Sequence, residues 1–160
     1  MQKNLKKKKV VVICGPTASG KTALSIELAK QIDGEIVSCD SMQIYKDMNI
    51  GTAKPTKEEM GGITHYLLDY VSPTQRYSVA DYKADAKKAI KEILHNGKIP
   101  IIVGGTGLYV DSLIYEIEYP NIEFDEEYRS NLEKEVRENG LNELYLQAKD
   151  RSNCNKKNKL

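Results

Sequence analysis

Eight residues near the start of the chain constrain its folding more than any others. Gly15-Pro16-Thr17-Ala18-Ser19-Gly20-Lys21-Thr22 matches G-x-x-x-x-G-K-[ST] at every fixed position. The pattern carries physical meaning when a buried strand runs into it and a helix leaves it. Val10–Cys14 is a short run rich in β-branched residues, ended by Gly15-Pro16, and predicts that strand. Lys21–Ile32 places Leu24, Ile26, Leu28, Ala29 and Ile32 at the spacing of a helix packed on a sheet. Glycines let successive backbone N–H groups converge on phosphate oxygens, and the helix N-terminus adds partial positive charge. Lys21 brings a full charge to terminal phosphates, and Thr22 offers a hydroxyl ligand to Mg²⁺. The segment is expected to bind a phosphate, diphosphate or nucleotide.

The pattern then repeats. Gly34 reads as a helix stop before a second strand over Glu35–Cys39, and His65–Val71 is a third strand candidate. Ser78 is a good N-cap, with Asp81 in the first turn of a helix that sets Tyr82, Ala86, Ala89, Ile90, Ile93 and Leu94 on one face and ends at Gly97. Ile99–Val103 is the fourth strand, followed by Gly104-Gly105-Thr106-Gly107 and a short helix over Leu108–Ile114. Strands alternating with helices predict an α/β fold with a parallel sheet. From Tyr115 the character changes. Phe124, Tyr128, Leu132 and Val136 recur every four residues, predicting a helix over Asp125–Asn139, and Leu141–Ala148 predicts another.

Charge sharpens these divisions. The 160 residues carry 24 Lys+Arg and 23 Asp+Glu. Residues 1–9 hold five lysines and no acid, and residues 151–160 hold four basic groups and no acid. The remaining 15 basic and 23 acidic groups leave residues 10–150 at −8. Both ends read as disordered: a basic lead-in over 1–9 and a tail over 149–160. The longest purely apolar run, Val10–Cys14, is too short for a membrane span or a signal-peptide core. Cys14, Cys39 and Cys154 are widely spaced and fit free thiols in a cytoplasmic protein, with Cys14 and Cys39 on neighbouring strands.

Phosphate binding does not say which bond breaks. An ordinary nucleotide hydrolase would hold Mg²⁺ with an acid at the end of an apolar strand, but Ile99–Val103 ends in glycines. Asp69 reads either as a metal ligand or as a turn residue. Asp40 sits at the carboxyl end of the second strand, the edge where parallel sheets place ligands. It reads either as a general base or as a cap for the loop after it. Tyr45 and Tyr109 read as core residues of a βα fold. A small-molecule kinase, with Asp40 activating a hydroxyl, and a non-catalytic phosphate-binding remnant are both compatible with these residues.

An ordered set of segments within residues 10–115 resembles one family, the tRNA dimethylallyltransferases (tRNA isopentenyltransferases). The set comprises Gly15–Thr22, Asp40-Ser41-Met42-Gln43-Ile44-Tyr45, Gly51-Thr52-Ala53-Lys54-Pro55, His65-Tyr66-Leu67-Leu68-Asp69, Tyr77-Ser78 and Gly104-Gly105-Thr106-Gly107-Leu108-Tyr109. The likeness weakens but persists to about Ala148. It implies a P-loop NTPase-like sheet flanked by helices, residues 10–115, with the start of a helical tRNA-binding insertion over 116–148. It also implies an unusual reaction. The N6 amine of an adenine beside the tRNA anticodon, position 37, attacks C1 of dimethylallyl diphosphate, and pyrophosphate leaves. Carried over by position, Asp40 is the base and Thr106 lies beside the reacting centre. Gly15, Pro16, Thr17, Ala18, Ser19, Gly20, Lys21 and Thr22 form the diphosphate site, with Thr22 at Mg²⁺. Asp40, Ser41, Met42, Gln43, Thr106 and Arg129 contact the tRNA anticodon stem-loop. The resemblance further implies a cytoplasmic protein, here read as a monomer.

Family members continue beyond the length of this chain, and the residues after Asp150 resemble nothing in the family. The sequence therefore reads as a truncated or frame-shifted product, about half of an enzyme. Diphosphate binding is expected to survive in it, with tRNA modification severely impaired, because an acidic middle is a poor nucleic-acid surface.

Overall fold

The computed structural model describes residues 9–115, 117–119 and 125–157. Its centre is a parallel sheet of β1 (Val11–Cys14), β2 (Gly34–Ser38), β3 (His65–Tyr66) and β4 (Ile99–Gly104), in the order β1-β4-β2-β3. Helix α1 (Lys21–Ile32) links β1 to β2, α2 (Val79–His95) links β3 to β4, and α3 (Gly107–Ile114) comes after β4. The central strands β2 and β4 are mostly buried on both faces, so their apolar residues run consecutively and side chains alternate between two cores. Ile36 and Ile101 pack with Ile26 and Ala29 of α1. The next residues, Val37 and Ile102, face the other way onto Tyr82, Ala86, Ala89 and Ile93 of α2 and onto Tyr109 and Val110 of α3. Each fully buried aliphatic chain adds about 1.5–3 kcal/mol of transfer free energy.

The ends of α2 are set as the sequence predicts. Ser78 accepts from Asp81 N–H while the Asp81 carboxylate accepts from Ser78 N–H, a reciprocal capping box. The α1 stop differs: Asp33 takes the left-handed conformation at the C-cap, and Gly34 already opens β2. The third strand is shorter than predicted. After Tyr66 the chain leaves the ladder through Leu67 and Asp69, both at positive φ, and meets Tyr45 again at Val71. Cys14 and Cys39 are not neighbours in the sheet, because β4 lies between their strands.

Met1–Tyr119 and Pro120–Leu160 are two separate compact units. In the second, α4 (Glu126–Asn139) is capped by the Asp125 carboxylate accepting from Tyr128 N–H, and Gly140 ends it. Phe124 of the predicted stripe lies outside the described residues. α4 buries no residue completely, and Leu132 and Val136 share a shallow groove with Leu144. The second helix of this unit, α5, spans Leu141–Lys157. This corrects the expected disorder over 149–160, as far as residue 157. No glycine or proline interrupts residues 141–157, and extending a formed helix costs far less than nucleating one. Of the basic lead-in, only Lys9 lies among the described residues.

Candidate functional site

Cys14 pairs with Gly104, and Ser38 pairs with Val103. The carboxyl ends of β1, β4 and β2 therefore reach one edge of the sheet together. Register alone brings the segments after these strands, Gly15–Thr22, Gly105-Thr106 and Cys39–Gln43, to that edge. A cleft of about 690 Å³ opens there. Thr17, Ala18, Ser19, Gly20, Lys21 and Thr22 line one wall, and Asp40, Met42, Gln43, Gly51, Thr52 and Ala53 line the other.

The first wall is made of backbone. Gly20 caps α1 at φ 81°, where a Cβ is strained, and Ala18 is left-handed at φ 61°. No side chain caps α1, and no acid sits in its first turn. Its leading N–H groups are thus not screened by a local carboxylate, which suits an anion. Lys21 Nζ donates to the Pro16 carbonyl at 2.5 Å and to Ser19 Oγ at 3.4 Å, bridging the loop it must serve. Gly15 and Pro16 support the loop and do not line the cleft.

The second wall depends on long-range contacts. Asp40 Oδ1 accepts from Met42 N–H at 2.9 Å and Gln43 N–H at 3.2 Å, so the carboxylate caps the turn after it. Capping and chemistry are compatible here, since both bonds fall on one oxygen and the carboxylate still lines the cleft. Thr106 lies behind this wall. Its Oγ1 accepts from Ser41 N–H at 3.0 Å, and its own N–H donates to the Cys39 carbonyl at 3.2 Å. Gly104 allows this junction: a Cβ there would stand 2.0 Å from the Cys39 carbonyl oxygen. Burial pushes the Cys39 thiol up to about 11, against the opposing hydrogen bond with Tyr82, so it remains a protonated core group. Arg129 lies on α4 in the second unit, where its Nε donates to Glu133 at 3.2 Å.

Asp69 is resolved as a turn residue. It does not line the cleft, and its carboxylate binds the Lys54 ammonium at 2.5 Å, a hydrogen bond that holds its pKa below the usual range. Tyr109 is core: it is buried and stacks on Tyr82 with ring centroids 4.0 Å apart. Sequence reading gave no role to Glu59, which lines the cleft and accepts from Thr56 N–H at 2.8 Å. The Thr56-x-x-Glu59 spacing of a capping box was the available signal.

Residues 43–158 match the family model described as IPP transferase. The chain belongs to the IPP transferase family. Among its relatives, the tRNA dimethylallyltransferase of Acetivibrio thermocellus is 56% identical over 141 residues, covering 88% of this chain and 45% of that protein. The tRNA dimethylallyltransferase of a Thermoanaerobacter species is 51% identical over 140 residues, 88% of this chain and 44% of the relative. The chain thus spans a little under half the length of these relatives. Among solved structures, the full-length tRNA isopentenylpyrophosphate transferase of Bacillus halodurans superposes with a TM-score of 0.70 at 46% identity, covering 90% of this chain and 48% of that one. A eukaryotic dimethylallyltransferase described as acting on tRNA gives 0.69 at 37% identity, covering 75% and 31%. As an IPP transferase family member, the first unit has a P-loop NTPase-like fold, which accounts for its parallel sheet and for a glycine-containing loop between β1 and α1. Among the described residues, no helix of this family member is long and apolar enough to cross a membrane.

Proposed function

We propose that this protein transfers a dimethylallyl group from dimethylallyl diphosphate to N6 of the adenine beside the anticodon of a tRNA. We place it in the cytoplasm as a monomer acting on the anticodon stem-loop. One observation carries the reading: a single cleft sets the phosphate loop against a wall that presents the Asp40 carboxylate. In the reaction the adenine N6 lone pair forms a bond to C1, the C1–O bond breaks, and pyrophosphate leaves with its electron pair. The proton released from N6 passes to Asp40. Its Oδ1 is engaged by two backbone N–H groups, which orients the carboxylate and presents Oδ2 to the amine. Lys21 and the backbone N–H groups of Thr17–Thr22 take up charge developing on the leaving pyrophosphate. Thr106 holds Ser41 and hence the turn from Asp40 through Gln43 against which the base lies. Arg129, in the second unit, contacts the stem-loop backbone.

The donor set suits Mg²⁺. Thr22 lines the cleft, and Mg²⁺ commonly takes few protein oxygens together with substrate phosphate and water. Thr22 would be its ligand, and the ion would supply further charge stabilisation to the leaving group. The test is a single-turnover incubation of excess protein with labelled dimethylallyl diphosphate and an anticodon stem-loop. Label on adenine N6 is expected at a rate far below that of a full-length relative, with Asp40→Asn slower still by about 10²–10⁴-fold and pyrophosphate affinity unchanged. Phosphoryl transfer from ATP with no label on RNA overturns the reading.

A further inference from the structure

The wall opposite the phosphate loop is held by a buried charge. The Lys54 side chain is only 6% exposed, and burying an ammonium costs free energy unless it is paired and hydrogen-bonded. Its Nζ donates to the Tyr45 carbonyl at 2.7 Å and to Asp69 Oδ1 at 2.5 Å. The same carboxylate oxygen accepts from Asp47 N–H at 3.2 Å. Three segments distant in sequence therefore converge on one ion pair. Backbone bonds complete the seam: Asp69 N–H to the Gln43 carbonyl at 3.0 Å, Val71 N–H to Ile44 at 3.0 Å, and Lys46 N–H to Val71 at 2.9 Å.

On the cleft side, Gln43 Nε2 donates to the carbonyls of Thr52 and Ala53 at 3.0 and 3.2 Å. Both segments of the wall are thereby tied to each other as well as to Lys54. Asp47, Ala53 and Asp69 all take left-handed backbone, at φ 62°, 48° and 57°. Residues with a Cβ hold that conformation only where their surroundings impose it. Met42, Gln43, Thr52 and Ala53 line the cleft, whereas Lys54 and Asp69 stand behind it.

We infer that Lys54 and Asp69 are positioning residues for the nucleic-acid half of the reaction. The pair sets where Met42, Gln43 and Thr52 stand, and so where the acceptor base docks, without touching either substrate. The inference rests on the proposed function, in which the base lies on this wall and the diphosphate on the other. Among the described residues, none of the bonds made by Lys54 or Asp69 reaches Gly15–Thr22. The two substrates should therefore respond differently to their loss.

The experiment measures equilibrium binding of an anticodon stem-loop and of inorganic pyrophosphate to wild-type, Lys54→Met, Lys54→Arg, Asp69→Asn and the Met/Asn double variant, with melting temperature recorded for each. Lys54→Met is expected to weaken stem-loop binding by about tenfold or more, the scale of one charge-assisted hydrogen bond, at unchanged pyrophosphate affinity. Asp69→Asn should shift in the same direction, the double variant should be no worse than Lys54→Met, and Lys54→Arg should recover part of the loss. Asp69 is half exposed, so its substitution keeps the test alive should Lys54→Met unfold. Equal weakening of both ligands, tracking a fall in melting temperature, shows a merely structural pair and overturns the inference. So does unchanged stem-loop binding in the variants. A wild-type protein that binds pyrophosphate but no stem-loop overturns the functional reading as well.

Discussion

The two walls of the cleft are built in opposite ways. The first wall is six contiguous residues, Thr17–Thr22, that offer mostly backbone N–H, a helix end and one lysine. The facing wall draws on Asp40–Tyr45, Gly51–Lys54, Asp69 and Thr106, and no short stretch of it is stable by itself. A contiguous anion site needs only local conformation, so strand, loop and helix define it. A site assembled from distant segments needs a correct sheet first, and then buried contacts to hold each loop.

The largest test of this contrast is Gly104→Ala. Its Cβ would meet the Cys39 backbone at 2.0 Å, so a loss of about 3 kcal/mol or more in urea unfolding is expected. Gly20→Ala, where nothing lies within 4 Å and only φ is unfavourable, should cost about 1–2 kcal/mol. Equal costs would erase the distinction between tertiary and local construction. Next, Lys21→Ala should weaken pyrophosphate binding about 100-fold by calorimetry while leaving the unfolding midpoint nearly unchanged. Smaller again, Thr106→Val removes the acceptor for Ser41 N–H and should lower stability by about 1–2 kcal/mol, with Thr106→Ser restoring most of it. Pyrophosphate affinity should hold in both Thr106 variants, since the phosphate wall makes its own geometry.

The opposite end of the sheet provides a control. Burial pushes the Glu35 carboxyl up, but hydrogen bonds from Lys98 and Tyr66 and the Lys98 charge outweigh it, and the net pKa is lowered. The unfolded chain therefore takes up this proton first as pH falls. The resulting stabilisation is present above the ordinary glutamate value of about 4.3 and is lost as pH drops through the folded value. Glu35→Gln should flatten that acid limb in urea midpoints taken between pH 3 and 6, with no change in pyrophosphate binding at pH 7. The smallest effect is expected at Arg129. Its i,i+4 pair with Glu133 is exposed, so Arg129→Ala should cost no more than about 0.5 kcal/mol, and any loss of stem-loop affinity beyond that reports RNA contact.

Much of the first unit was readable without coordinates. The runs Val10–Cys14 and Ile99–Val103 had the length and β-branching of buried strands, and the Ser78–Asp81 cap marked the start of α2. The failures have separate physical causes. His65–Val71 reads as one strand, but Asp69 is turned out of the ladder toward the buried Lys54, a partner fifteen residues away in sequence. Cys14 and Cys39 look adjacent because sequence order hides the insertion of β4 between their strands. The tail past Asp150 looks disordered by composition, yet with no breaker the helix begun at Leu141 continues to Lys157.

The sequence by itself determined a G-x-x-x-x-G-K-[ST] loop between a strand and a helix, an alternating α/β order, and a family likeness spread over ordered motifs. These arise from local propensity, periodicity and backbone requirements, which a linear chain displays. Only the tertiary structure decided that Asp40 caps its own turn while lining the cleft, that Thr106 supports Ser41 from behind, and that Asp69 serves Lys54. A carboxylate or hydroxyl looks the same in sequence whether it faces a ligand or a neighbour. Which it faces is set by the register of strands that meet only after the chain has folded.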